Sequence, residues 1–491
     1  MVRAETRRRG GDGIRATTRH SRLPDDEGGC PATRAPYSRL RVFARTLATL
    51  AATTALAACI GPRPQAPVAA TVAPPPAWRT TLGQGHPIQA DWWSAFGDER
   101  LDRLVTQVLA RNNNLAAATI LVRRAQLEAG IAGNALLPQG AGQVTSKVSL
   151  QDGNAQSHSV QASVSYTADL FGRLGAERDA ARWEARATAQ DLAATRLALE
   201  GATLELYWTL AYLNQQIASG EASVAYARKT LTLVTAQHDA GAVSAIELNE
   251  ARRNVETQVA AQSALVQQRV ETRNALTLLL AGTPWPEADE PQSLSAATPP
   301  AVDPGVPADL VGRRPDLVAA EQRLRESLSG VDAAKASFYP AITLTASGGG
   351  TSPELSKVLS DPTSTLGVGI TLPFLNWRAL SLNLRVSRTD YERAVALFRQ
   401  SLLQAFVDVD NALSSRRQLA DQGLSLEASR VAARRAEQLY GVRYKAGAVD
   451  LRTWLDAQER ARAADLAAAA NRQSQLVALS TLYQALGGST R

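Results

Sequence analysis

Large side chains are scarce in this chain. Seven Phe, ten Tyr and eight Trp make up 5% of 491 residues, and Met occurs once. A core of bulky side chains is thereby excluded; Ala must fill much of the packing, which suits closely spaced helices. Four His (His20, His86, His158, His238) are scattered, none at metal-ligand spacing. There is no Walker loop, no nucleophile elbow and no dinucleotide glycine fingerprint. Acidic neighbours such as Asp408 and Asp410 fall on opposite sides of a predicted helix, a poor dyad that reads as surface charge. No enzymatic site is expected, and no cofactor or metal. Nor does any stretch approach the roughly 20 apolar residues of a spanning helix. The apolar fraction of 45% nevertheless excludes wholesale disorder. The length suits about three ordinary domains, or one long repetitive architecture.

The formal charge of +7 points at first to nucleic acid, but its placement removes that reading. Residues 1–58 hold eleven Arg and five acids, which leaves 42 basic against 41 acidic residues in the remainder. Clusters such as Arg7-Arg8-Arg9 therefore say nothing about the folded body.

Residues 39–58 read as an address. Arg39, Arg41 and Arg45 form a positive region before the apolar run Thr46 to Ala58, which is too short to cross a bilayer and reads as a signal peptide. The run ends Leu56-Ala57-Ala58-Cys59, which resembles the bacterial lipobox. Cys59 would then be the first mature residue and carry lipid chains, palmitate among them, each buried methylene adding about 0.8 kcal/mol of anchoring. Ile60 stands where an Asp would favour inner-membrane retention, so the outer membrane is the expected destination. Residues 1–38 are expected to be a misassigned leader, with translation starting at a non-ATG codon near Leu40 or Val42. Cys30 would leave with that leader, so neither a disulfide framework nor a Cys-based metal site remains.

The chain is written twice. Ala240-Gly241-Ala242-Val243-Ser244 returns as Ala446-Gly447-Ala448-Val449-Asp450, an offset of 206. The same offset pairs Leu233 with Leu439, Leu276 with Leu482 and Gly282 with Gly488. Leu136-Leu137-Pro138 answers Phe338-Tyr339-Pro340 at 202. Two copies follow, 99–282 and 308–488, joined by a Pro-rich linker at 283–307 and preceded by the segment 59–98. Each opens with a helical segment (99–136, 308–338), capped by Asp98 or Asp309 and stopped by Pro138 or Pro340. A period-two hairpin comes next, at about 141–170 and 341–374: Val160, Ala162, Val164, Tyr166 and Leu170 alternate with polar residues, as do Leu366, Val368, Ile370 and Phe374. Long Pro-free helices (174–238, 378–444) then reach the tip turns at 239–244 and 445–450. Helices return through 245–281 and 451–486.

The class is mainly α with a β membrane part. Four strands with one apolar face cannot leave two edges open in a membrane, and four are too few for a barrel. Several protomers must pool them, the apolar positions facing lipid and their neighbours a lumen.

These features together resemble the TolC-like outer-membrane efflux factors, in particular the lipidated OprM/NodT-type branch, over nearly all of 59–488. The resemblance rests on Arg313-Arg314-Pro315-Asp316-Leu317 with Ala320-Glu321, on Asp91-Trp92-Trp93-Ser94-Ala95-Phe96-Gly97-Asp98 with Leu101, and on Asp169-Leu170-Phe171-Gly172-Arg173 and Leu455-Asp456-Ala457-Gln458. It implies a homotrimer in which a twelve-stranded β-barrel in outer-membrane lipid continues as an α-helical tunnel through the periplasm. It also implies an inner-membrane pump of the RND type and a periplasmic adaptor, the latter docking at the tip turns Gly241-Ala242-Val243 and Gly447-Ala448-Val449. Matched by distance from the turn glycine, Asp456 takes one acidic ring position of the family's gate and Thr453 the other, while Glu247 and Tyr444 match a linking pair. Val449 stands where an Arg is usual. The function implied is a passive efflux conduit for small molecules; the alternatives are an exit duct for type I protein secretion and a lipid-anchored coiled-coil spacer.

Overall fold

The structure, a computed structural model, describes residues 72–80, 88–149 and 155–488. The leader, the signal segment and Cys59 lie outside the described residues. The first copy runs through α1 (Glu99–Arg111), α2 (Asn113–Asn134), β1 (Gln139–Ser149), β2 (Ala155–Ala168), α3 (Arg173–Asp239) and α4 (Ala245–Leu279). The second follows the same order with one helical turn (Leu310–Arg313), α5 (Pro315–Ala336), β3 (Ala341–Ser352), β4 (Thr363–Thr371), α6 (Trp377–Lys445) and α7 (Leu451–Ala485). With 67 and 69 residues, α3 and α6 are rods of about 100 Å.

The opening helical segments are not continuous, contrary to expectation. In the first copy Asn112 leaves helical geometry, and its side-chain oxygen accepts hydrogen bonds from the amides of Asn114 and Leu115, capping α2. Asp98 caps α1 as expected by accepting from the Arg100 amide. Asp309 caps nothing: it lies in a 3-10 turn, and α5 starts instead at Pro315, whose fixed φ suits a first helical position.

These breaks let short helices stack end to end beside the rods. Near the strands α2 packs on α3, α3 on α5 and α5 on α6; towards the tip α4 packs on α3, α3 on α7 and α7 on α6. One side chain bridges each stack. Asn112 Nδ2 donates to the Leu279 carbonyl at the end of α4 (3.0 Å), and Arg314 Nη1 donates to the Ala485 carbonyl at the end of α7 (3.3 Å).

The strands form one antiparallel sheet in the order β1-β2-β3-β4, with β1 and β4 at its edges. Near the helices its register sorts side chains by polarity. Val164, Ala346 and Leu366 share one cross-strand row, and Tyr166, Leu344 and Val368 the next on the same face. Gln139, Ser165, Thr345 and Gly367 lie on the opposite face.

Most large buried side chains gather in a belt midway along the shaft. Trp92 stacks on Tyr483 at 4.7 Å, and its Nε1 donates to Glu200 (2.9 Å). Phe96 meets Trp208 edge-on, and Tyr207 donates to Asp98. The segment after α4 wraps this belt and touches both helical hairpins, α3–α4 and α6–α7. Arg269 and Arg273 pair with its buried Glu290 from one side; Arg472 donates to the Ser295 carbonyl and Arg416 to that of Pro300 from the other.

Candidate functional site

Both tip turns have one geometry. After α3, Gly241 takes φ +73° and donates to the His238 carbonyl, while the Ala242 amide reaches back to Gln237. After α6, Gly447 takes φ +71° and donates to Tyr444, while Ala448 reaches Arg443. This double bond pattern ends a helix through a left-handed residue, a conformation only glycine adopts without steric cost. Among the tip residues expected to meet an adaptor, Gly241, Ala242, Gly447 and Ala448 are exposed. Val243 and Val449 instead fold back, half-buried, against the apolar cluster beneath.

That cluster is built from Val234 on α3, Leu248 and Ala251 on α4, Tyr444 on α6, and Leu451 and Trp454 on α7. It joins one helical hairpin to the other. Within one chain Tyr444 and Glu247 do not bond each other. Tyr444 donates its hydroxyl to Gln237 Oε1 (2.8 Å), and Glu247 caps its own helix by accepting from the amide and hydroxyl of Ser244. The reason is position: Glu247 is the third residue of α4, where a carboxylate completes a capping box. The Ser244 bonds hold its carboxyl below the usual range; burial pushes the Tyr444 phenol up, and the nearby Glu247 charge adds to that. Thr453 occupies the equivalent place in α7, its amide donating to Asp450 (2.8 Å), and Asp456 is exposed one turn further on. Gln237 and Trp454 had no signal in the sequence, because their partners lie on other helices.

The family-like motifs each do local structural work. Asp169 accepts from the amides of Leu174 (3.0 Å) and Gly175 (2.7 Å), capping α3, while Phe171 stacks on Tyr339 at 4.6 Å. Arg314 pairs with Asp316 (2.8 Å) and Asp408 (3.2 Å) besides the Ala485 carbonyl. Glu321 pairs with Arg325 on the surface of α5. Asp408 is therefore not idle surface charge, and neither is Asp410, which accepts from the Arg79 amide (3.1 Å).

At the other end, the sheet leaves its apolar face bare. Leu366, Val368 and Ile370 are 87%, 68% and 62% exposed, and Leu170, Phe171, Tyr339, Phe374 and Trp377 stand exposed where strands meet helices. So large an apolar surface marks contact with lipid or protein. Among the described residues, no helix is long and apolar enough to cross a membrane, and no group of three side chains could hold a metal ion.

An edge-open sheet with one lipid-compatible face, set on a shaft of paired helices, defines a TolC-like outer-membrane channel. The family model for the outer membrane efflux protein matches residues 104–282 and again 306–488, and the chain belongs to that family. It is 33% identical over 472 residues to the pyoverdine export outer membrane protein OpmQ of Pseudomonas putida, covering 90% of this chain and 97% of that one. Over 419 residues it is 31% identical to the toxin and drug export protein A of Aggregatibacter actinomycetemcomitans, covering 82% and 89%. Among solved structures, the open state of the MtrE outer membrane channel of Neisseria gonorrhoeae matches with a TM-score of 0.75 at 27% identity, covering 87% of this chain and 97% of that one.

Proposed function

We propose that three copies of this chain close their sheets into one twelve-stranded barrel in the outer membrane, β1 of each copy pairing with β4 of the next. The barrel opens into a tunnel of α3 to α7 that reaches through the periplasm, and the assembly is the passive outer conduit of a tripartite efflux system. A periplasmic adaptor docks at the two tip turns, and an inner-membrane pump of the RND type supplies the energy. Lipid chains on Cys59 tether each copy to the inner leaflet. The conduit needs no catalytic residue and no cofactor.

The carrying observation is the four-stranded sheet, bare on its apolar face and unpaired at both edges. Strand edges in a membrane are stable only when closed, and eight strands is the lower limit for a barrel. The opposite face offers Gln, Ser, Thr and Gly, side chains that water wets and that leave the bore wide. The exposed aromatics at the strand–helix junction suit the girdle at a membrane–water interface.

A second reading, export of polypeptides, draws support from the relative named as a toxin and drug export protein. Reconstitution in planar bilayers tests the conduit itself: stable ion conductance is expected, and its absence would favour the spacer alternative. Co-purification with an RND pump rather than an ABC exporter separates efflux from protein secretion. Intact-mass analysis of the membrane-extracted chain tests the anchor, which predicts a mature N-terminus at Cys59 carrying acyl chains.

A further inference from the structure

The apolar face of the sheet thins out along its length. Near the helices it carries Tyr166, Leu344, Val368 and Ile370; beyond Ala346 and Leu366 the same face of β3 and β4 holds Gly348, Ser364, Gly350 and Ser352. From Ile342 to Gly350 the strand runs about 27 Å, or about 20 Å of depth at the tilt usual in a barrel. Gly350 thus still falls within an apolar band about 25 Å tall, with no side chain to offer it. The β3–β4 connection supplies the cover. It makes one 3-10 turn, Leu355–Lys357, and lays Val358, 7% exposed, over Gly350. A Cβ at Gly350 would collide with the Val358 carbonyl, so glycine is what admits the loop. Gly350 pairs with Val160 of β2, in the register that continues through Ala346 and Val164, so the loop lies on the apolar face. Leu355 and Leu359, on either side of Val358, remain 60% and 61% exposed.

We propose that the β3–β4 connection is a membrane-seated loop: folded over the lipid side of the barrel, it replaces the side chains the strands lack and sets Leu355 and Leu359 among the acyl chains of the outer leaflet. The inference rests on the barrel of the conduit reading. Lipid is the occupant because the loop continues the bare rows of Leu366, Val368 and Ile370. A neighbouring copy is not, because the glycine seat pairs with β2 in the middle of the sheet, away from the β1 and β4 edges that meet other copies. Within the turn Lys357 and Glu354 pair at 2.9 Å, so neither charge approaches the lipid surface alone.

A nitroxide on Leu359→Cys, in the full-length assembly in lipid vesicles, tests the placement, with Leu366→Cys labelled separately as the reference. Both labels should be reached by oxygen and shielded from a water-soluble nickel chelate. Adding Gly350→Val to the Leu359→Cys chain takes away the seat, and chelate access at residue 359 should rise several-fold. The same change made with the label at residue 366 should leave that position shielded, which shows that the barrel still stands. A label at 359 open to the chelate while 366 is shielded overturns the inference and leaves the barrel intact. Shielding of 359 from oxygen and chelate alike means that protein, not lipid, covers the loop, and overturns it as well. Unchanged access at 359 in the Gly350→Val chain overturns the glycine seat. If the label at 366 is itself open to the chelate, the barrel reading fails and the inference with it.

Discussion

Two apolar clusters hold the shaft together, one at its middle and one at its tip, and they differ in kind. The belt is broad, continuous and aromatic, draws on both copies and the connecting segment, and ties its buried carboxylates Glu200 and Glu290 to arginines. The tip cluster has six buried members and one phenol–amide bond between hairpins. Apolar burial stabilises in proportion to area, so the belt fixes the helices while the tip joins them only marginally. A conduit that must stay assembled yet open at one end needs that gradient.

The gradient can be broken from the strong end first. Trp92→Ala removes a side chain that is 1% exposed together with its bond to Glu200, and is expected to cost about 3–5 kcal/mol, seen as a lower denaturation midpoint for the whole shaft. Arg314→Ala frees the α5–α7 junction and leaves Asp408 without its cation, held by Gln404 alone; about 2–3 kcal/mol is expected, and Lys should not rescue it, since a point charge cannot reproduce the forked contacts to Asp316, Asp408 and Ala485. Tyr444→Phe removes only the bond to Gln237, worth about 1 kcal/mol. It should leave the midpoint unchanged while raising resting conductance several-fold; conductance at the wild-type level would take Tyr444 out of the gate.

The smallest effect is one of pH. Burial raises the Asp316 carboxyl, but the Arg314 guanidinium outweighs it and leaves the group below its usual value. A carboxylate depressed in the fold stabilises above its unfolded value, about 3.9, and that contribution fades as pH falls through the folded value. Asp316→Asn should therefore flatten the acid limb of the stability curve slightly, measured by melting between neutral pH and about pH 3.

What the sequence revealed was whatever repeats or alternates. Period-two patterning placed the strands, and their register then put Val164, Ala346 and Leu366 in one row. Pro-free runs placed α3 and α6 to within a residue at each end. The break at Asn112 was within reach, since the run Asn112-Asn113-Asn114 is a strong capping signal, but the apolar stripe on either side obscured it. α1 buries its apolar residues in the belt, whereas α2 reaches it at Leu115 and leaves Ile120, Leu127 and Ile131 exposed. Site residues were harder. Family spacing brings Tyr444 and Glu247 to the tip, but within one chain Glu247 bonds Ser244 and Tyr444 bonds Gln237. Trp454, Gln237 and Asp408 depend on partners far along the chain, and no local pattern carries that information.

The central claim is that the sheet spans a membrane with one face to lipid and the other to water. Spin labels on neighbouring β4 residues test it directly. With Leu366→Cys and Thr365→Cys labelled in lipid vesicles, residue 366 should be reached by oxygen and shielded from a water-soluble nickel chelate, and residue 365 the reverse. Both labels equally open to the chelate would place the strands in water and contradict the account.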